Sequence, residues 1–246
     1  MVVFFGGIQV EARRYARQPR RARQDLRDYP IYTIPEAASY LGMSLRTLYR
    51  WISDEPLWTP AGKAGQVQLL SFNDLAQVHF IEFIRRHAGI SMQKAKEILR
   101  NARLETQSQY PLLNRNIKVL FKHILLDRPQ RGRVVRHVVD LSQHRQFVMQ
   151  NVVDMFATRV RRNSKGQLEQ IYPWRHYRPG DRRRPVTLDP SVMSGLLVIT
   201  GTRIPARLLR SRRQSGEKIP ALAQEYELEE AVVRQALRHL GLRKAA

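Results

Sequence analysis

The 246-residue chain predicts a mainly α fold with small β elements, an α+β protein of three modules behind a basic arm. Three observations carry this expectation. Apolar residues recur at helical spacing in short runs that start on Ser, Thr or Pro and stop on Gly. β-rich runs lie between them, bracketed by Pro and Gly turns. Lys plus Arg number 43 against 21 Asp plus Glu, a net charge of +22 carried on an ordinary 43% of hydrophobic residues. That hydrophobic content supports a packed core. That charge asks for a polyanionic partner: nucleic acid first, an acidic protein or an anionic membrane second.

Absence is informative too. The chain has no cysteine, which excludes disulfides, zinc fingers and thiol catalysis. No run approaches the roughly 18 apolar residues of a membrane span. The opening "MVVFFGGIQV" lacks the basic lead-in and cleavage pattern of a signal peptide. The expectation is a cytoplasmic protein without membrane contact.

Residues 1–28 hold seven arginines against three acids and little apolar content after Val10, which reads as a disordered basic arm. Residues 29–104 form a first module. Thr33, Pro35 and Glu36 make a helix start with a capping box, Ile34, Ala37, Ala38 and Leu41 share a face, and Gly42 ends the helix. Ser44 caps a second helix, with Leu45, Leu48 and Ile52 inward and Arg46, Thr47, Tyr49 and Arg50 outward. The stretch "DEPLWTPAGKAGQVQLLSF" predicts a hairpin whose return strand includes Val67 and Leu69. Ser71 with Asp74 caps a third helix, which Gly89 stops. Ser91 caps a fourth.

Residues 105–177 predict an α+β middle module. "IKVLFKHILL" and "RVVRHVVDL" read as strands around the turn "DRPQRG", Ser142 starts a helix running to Val160, and "LEQIYPW" is a further strand. Residues 104–184 carry 17 Lys/Arg and six Asp/Glu, half of the chain's excess. "RPGDRRRP", residues 178–185, reads as a linker.

Residues 186–246 form the last module. "VTLDP" and "LLVIT" predict two short strands, and three helices follow, the first opened by Pro205 and the last closed by Gly241. In "ITGTRIPARLL" a strand end, a turn and a helix start meet. Gly201 supplies a backbone angle closed to other residues, Thr202 caps, and Pro205 presets the first helical turn. Arg203 has two readings. It bonds nearby carbonyls or a carboxylate and locks the bend, or it serves a partner. Leu208 and Leu209 face inward, whereas Arg207, Arg210, Arg212 and Arg213 mostly cannot.

The first module resembles the DNA-binding domain of the MerR family over roughly residues 31–103: helix, turn, helix, wing, helix, helix, with "AGISMQKAKEIL" in the place of that family's capped last helix. The resemblance implies a DNA-binding surface made by Ser44, Arg46, Thr47, Tyr49 and Arg50 of the second helix and Lys63 and Gln66 of the wing. Independently, a polar, basic first turn suits entry into the major groove, with arginines on guanine edges or phosphates. The alternative is a helix-turn-helix used only for protein contacts. The wing departs from the family's Gly-Tyr-Arg-x-Tyr pattern, reading Gly65-Gln66-Val67-Gln68-Leu69. The long dimerisation helix and sensor cysteines of that family are absent.

The last module resembles a small domain marked by a Gly-Thr-Arg-Ile-Pro signature, long of unknown function and now grouped with antitoxins. Asp189-Pro190, Gly195, Gly201-Thr202-Arg203-Ile204-Pro205, Gly216 and Ala236-Leu237 match, and Gly195-Leu196-Leu197 departs mildly. The whole order resembles a VapB-type antitoxin, which implies a PIN-domain ribonuclease as partner, operator DNA as a second partner, a homodimer and no cofactor. The toxin-binding candidates are Arg203, Arg207, Arg210, Arg212 and Arg213. The rival is a stand-alone MerR-like regulator.

Catalytic constellations are poor, so no enzyme is expected. The seven histidines are scattered, and His79 reads as a core-edge residue rather than a ligand. Asp127, Asp140 and Asp154 read as solvated caps rather than a nuclease cluster.

Overall fold

The computed structural model describes residues 25–54, 59–114 and 151–242. The strands expected over 117–126 and 133–141, the turn between them, the helix start at Ser142, Asp127, Asp140 and the arm before Asp25 lie outside the described residues. What is described is mainly helical with three small antiparallel sheets, as the sequence predicts.

The head begins earlier than expected. Asp25 caps a 3-10 turn, Leu26–Asp28, and Asn73 donates to the Asp28 carboxylate at 2.8 Å. These residues, read as the end of a free arm, are therefore bound to the head. Strand β1 (Tyr32–Thr33) leads straight into α1 (Ile34–Leu41), where the Thr33–Glu36 capping box is closed in both directions. Helix α2 (Leu45–Tyr49) follows Gly42 and continues as a π-helical turn, Arg50–Asp54. The wing is β2 (Gly62–Ala64) and β3 (Val67–Leu70). β3 sits in the centre of a three-stranded sheet, because β1 pairs with its other edge, Tyr32 opposite Leu70. A two-residue strand leaves too short a pattern to read from sequence. Helices α3 (Phe72–Ala88) and α4 (Met92–Thr106) complete the head, with Gly89 in the left-handed region between them.

In the middle module, helical residues 151–157 (α5) stop three residues before Val160. Val160–Arg162 is a strand, β4, paired with β5 (Leu168–Ile171), where the sequence predicts a continued helix. Tertiary contacts override the local pattern here. The Arg159 amide bonds the Phe156 carbonyl, the Tyr172 amide bonds the Arg159 carbonyl, and the Arg159 side chain is buried.

The stretch 178–185 is held down rather than free. Arg183 pairs with Asp181, which also accepts the Trp174 indole N–H at 2.8 Å. Arg184 donates to the Thr158 carbonyl and lies 4.5 Å over the Tyr172 ring.

The last module pairs β6 (Val186–Thr187) with β7 (Val198–Ile199), then stacks α6 (Ala206–Gln214), α7 (Ile219–Glu225) and α8 (Glu230–His239). Pro205 stands at the N-cap with extended backbone and bridges Val198, so it ends the sheet instead of opening the helix.

One buried cluster runs through all three modules, including Leu41 and Phe80 of the head, Phe156 and Trp174 of the middle, and Leu209 and Leu237 of the last. Two polar contacts fix the head on the last module. The Tyr32 hydroxyl donates to the Gly195 carbonyl at 3.0 Å. Gly195 has φ 81°, and a Cβ there would lie 2.2 Å from the same hydroxyl, so no side chain fits. The second contact is His239, with no exposed surface. Its Nδ1 accepts from the Arg175 amide at 3.2 Å, which leaves Nε2–H to donate to the Tyr40 carbonyl at 2.8 Å.

Candidate nucleic-acid interface and a second basic face

Helix α2 is anchored from behind. Leu48 and Trp51 have no exposed surface, and the Arg85 guanidinium lies 5.4 Å over the Trp51 ring. With that side fixed, Ser44, Arg46, Tyr49 and Arg50 are exposed and Thr47 is half-buried. Leu45, expected inward, is 42% exposed, because a five-residue helix has only one turn to bury and Leu48 occupies it. The Ser44 side chain makes no capping bond, contrary to expectation, so its hydroxyl remains available outward. No acidic side chain pairs with Arg46 or Arg50 among the described residues. Unpaired guanidiniums on a rigid helix are what duplex phosphates and guanine edges take up.

Lys63 and Gln66 are exposed on the wing, and Val67, expected within the return strand, is there but 53% exposed. The wing is tied at its root. Asp74 Oδ2 accepts from the Ser71 amide at 2.8 Å and from the Ala61 amide at 3.1 Å, so the α3 capping box also holds the strand entering β2. Sequence reasoning identified Asp74 as a cap. It had no signal for the bond to Ala61, which depends on the wing folding back.

The turn at Gly201 (φ 81°) is locked by Thr202, whose hydroxyl donates to the Ile199 carbonyl at 3.0 Å and accepts from the Ile204 amide at 3.1 Å. Arg203 takes no part in it. It is exposed and makes no hydrogen bond or ion pair, so the reading in which it locks the bend is overturned. A threonine hydroxyl reaches both carbonyl and amide across so tight a turn, and a long guanidinium is not needed.

The α6 arginines divide in two. Arg212 is taken by Glu217, at 2.6 Å, by Glu225 and by the Tyr226 hydroxyl, which join α6 to α7. Arg213 donates to the Glu217 carbonyl at 3.0 Å. Arg207 and Arg210 have no such partner; Arg207, like Arg203, is exposed, and Arg210 is half-buried. Leu208, expected inward, is 38% exposed beside them, whereas Leu209 is buried.

Two buried histidines complete the electrostatics. Burial lowers His79 to about 3, helped by the Arg159 charge. Burial also lowers His239 to about 4 against the opposing bond to Tyr40. Both imidazoles are therefore neutral. His239 ends an apolar stripe with Val233, Ala236 and Leu237, so its burial was readable from helical spacing, but its partner on α1 was not. Asp154 is half-buried on α5, away from any acidic cluster. Among the described residues no group of three or more His, Asp or Glu is placed to hold a metal. No helix among them is long and apolar enough to cross a membrane.

This fold and this face define a winged helix-turn-helix of the DNA-binding regulator class, joined to a sheet-and-three-helix unit. Residues 32–102 match the MerR HTH family regulatory protein profile, and residues 186–239 match the family described as a protein of unknown function, DUF433. The chain therefore carries a MerR-family domain, which implies DNA binding, and a DUF433 domain. Its structure is similar to the X-ray crystal structure of Rv2018 from Mycobacterium tuberculosis, with a TM-score of 0.62 over 85% of this chain and 98% of that one. At 18% identity the likeness is one of fold. No curated protein matches the chain.

Proposed function

We propose that the chain is the antitoxin of a type II toxin–antitoxin pair, which inhibits a PIN-domain ribonuclease by direct binding and represses its own operon through the head. It works by binding alone and catalyses nothing. The observation that carries this reading is the division of the arginines. One set, Arg46 and Arg50, stands unpaired on α2, and a second, Arg203, Arg207 and Arg210, stands unpaired on and before α6. Two separate cationic faces on one body suit two polyanionic partners. A PIN nuclease holds its metal with clustered carboxylates. A guanidinium delivered there pairs with them in bidentate fashion and takes the cation's place. Exposed Leu208 between the cations gives that contact an apolar centre. Near-palindromic operators would call for a homodimer.

The test is co-expression with the product of the adjacent gene. The wild-type chain is expected to co-purify with it and to suppress RNA cleavage. The triple substitution Arg203→Ala, Arg207→Ala, Arg210→Ala is expected to lose that protection while still folding. Full protection by the triple variant would remove the proposed role of this face.

The second reading, a stand-alone MerR-like regulator with a sensor in the middle, draws on the match over residues 32–102. It predicts DNA affinity that changes with a signal, and no toxin encoded alongside.

A further inference from the structure

A small cleft lies where α3 of the head meets the middle module, lined by His79, Glu82, Arg86, His87, Arg159 and Tyr177 among others. Its cavity volume is ≈ 20 Å³, room for about one water-sized species. Two polar groups in its wall carry the argument, a buried cation without a salt bridge and an imidazole nitrogen without a hydrogen bond. Arg159 is 1% exposed, yet its guanidinium bonds only carbonyls, those of Tyr172 and Arg183. These use three of its five N–H groups, its guanidinium lies 5.3 Å over the Tyr177 ring, and no carboxylate among the described residues forms a salt bridge with it: Asp181, whose charge acts on it, is bonded to Arg183 and Trp174 instead. A buried cation whose counter-charge is not in direct contact is costly. His79 is 7% exposed, and its Nε2 has no hydrogen-bond partner. Glu82, the acid in the wall, is already taken by Arg86 at 2.6 Å.

We propose that this cleft binds one small inorganic anion of about chloride size, which neutralises Arg159 and accepts a hydrogen bond from His79. A water would satisfy the imidazole but bring no charge to the guanidinium. A phosphate is too large for the space. The anion would sit between α3, which supports the DNA-reading helix, and β4, so it would help fix the head on the middle module. The site stands apart from both cationic faces and depends on neither assignment.

The experiment uses the full chain. Thermal unfolding is followed in sodium chloride and in sodium gluconate at equal ionic strength, and crystals are soaked in bromide. The expected result is a midpoint that rises saturably by a few degrees with chloride, and an anomalous bromide peak in the cleft. The variant His79→Phe keeps the ring packing and removes Nε2. Its half-saturating chloride concentration should be about tenfold higher, as for one lost hydrogen bond to a charged group. Equal midpoints in the two salts would overturn the proposal, as would a bromide-free cleft holding an ordered water. If His79→Phe fails to fold, the bromide map of the wild-type chain decides the matter.

Discussion

Single arginines in this chain differ by what already occupies them. Arg212 is shared among Glu217, Glu225 and Tyr226, and those acids raise its pKa while Glu225 is lowered in return. Exposed pairs contribute little singly, but a guanidinium linking two acids and a hydroxyl across two helices constrains the angle between them. Arg203 links nothing. Arg212→Ala should therefore lower the thermal midpoint of the chain, and Arg203→Ala should leave it unchanged, as read by circular dichroism. Both residues are arginines near one turn, so the sequence offers no means of ranking them. Which arginine meets Glu225, thirteen residues on, is set by the packing of α7 on α6. Gly201, by contrast, was legible, because a glycine between a strand and a proline has few other uses.

At the scale of elements, α1 and α3 of the head were readable because each carries its own start and stop. The Thr33–Glu36 and Ser71–Asp74 boxes and the left-handed Gly42 and Gly89 are local features, satisfied within a few residues. The strands were less readable. β1 is two residues long, and β4 takes Val160 from a helix that its sequence would continue, because the pairing that decides it comes from Leu168–Ile171. The DNA-reading candidates on α2 were chosen as the polar face of a short helix, and the fold leaves Arg46, Tyr49 and Arg50 outward, although Leu45 joined them. One carboxylate, Asp74, ties the entry of β2 to the first turn of α3. Asp74→Ala should lower stability by about 1–3 kcal/mol, because it leaves the buried Ser71 amide without its acceptor. It should also speed hydrogen exchange at the Ala61 amide more than at amides of α4, since Ala61 loses its acceptor.

The whole molecule is held together across sequence distances that no local pattern reports: Tyr32 to Gly195, Tyr40 to His239, and Arg86 to the Arg175 carbonyl. These contacts make the head and the last module one packed body. They also give it an acid weakness. His79 and His239 have folded pKa values of about 3 and about 4, below the ordinary 6.5 of the unfolded chain. The unfolded state therefore takes up protons first as pH falls. The contribution of the two histidines is fully present above about pH 6.5 and is lost as pH falls towards their folded values. Denaturant melts should show stability dropping from pH 6.5 to pH 4.5, and His239→Gln should flatten part of that slope. A profile level across that window would mean the imidazoles are not held neutral. On the proposed function, α2 carries the DNA-reading face and α6 a different one. The most direct measurement is a mobility shift on duplex DNA from upstream of the gene. The wild-type chain and the Arg203/Arg207/Arg210 triple-alanine variant should retard the duplex equally, and Arg46→Ala with Arg50→Ala should not retard it at all. Retardation by that double variant equal to wild type would remove α2 as the DNA-reading face.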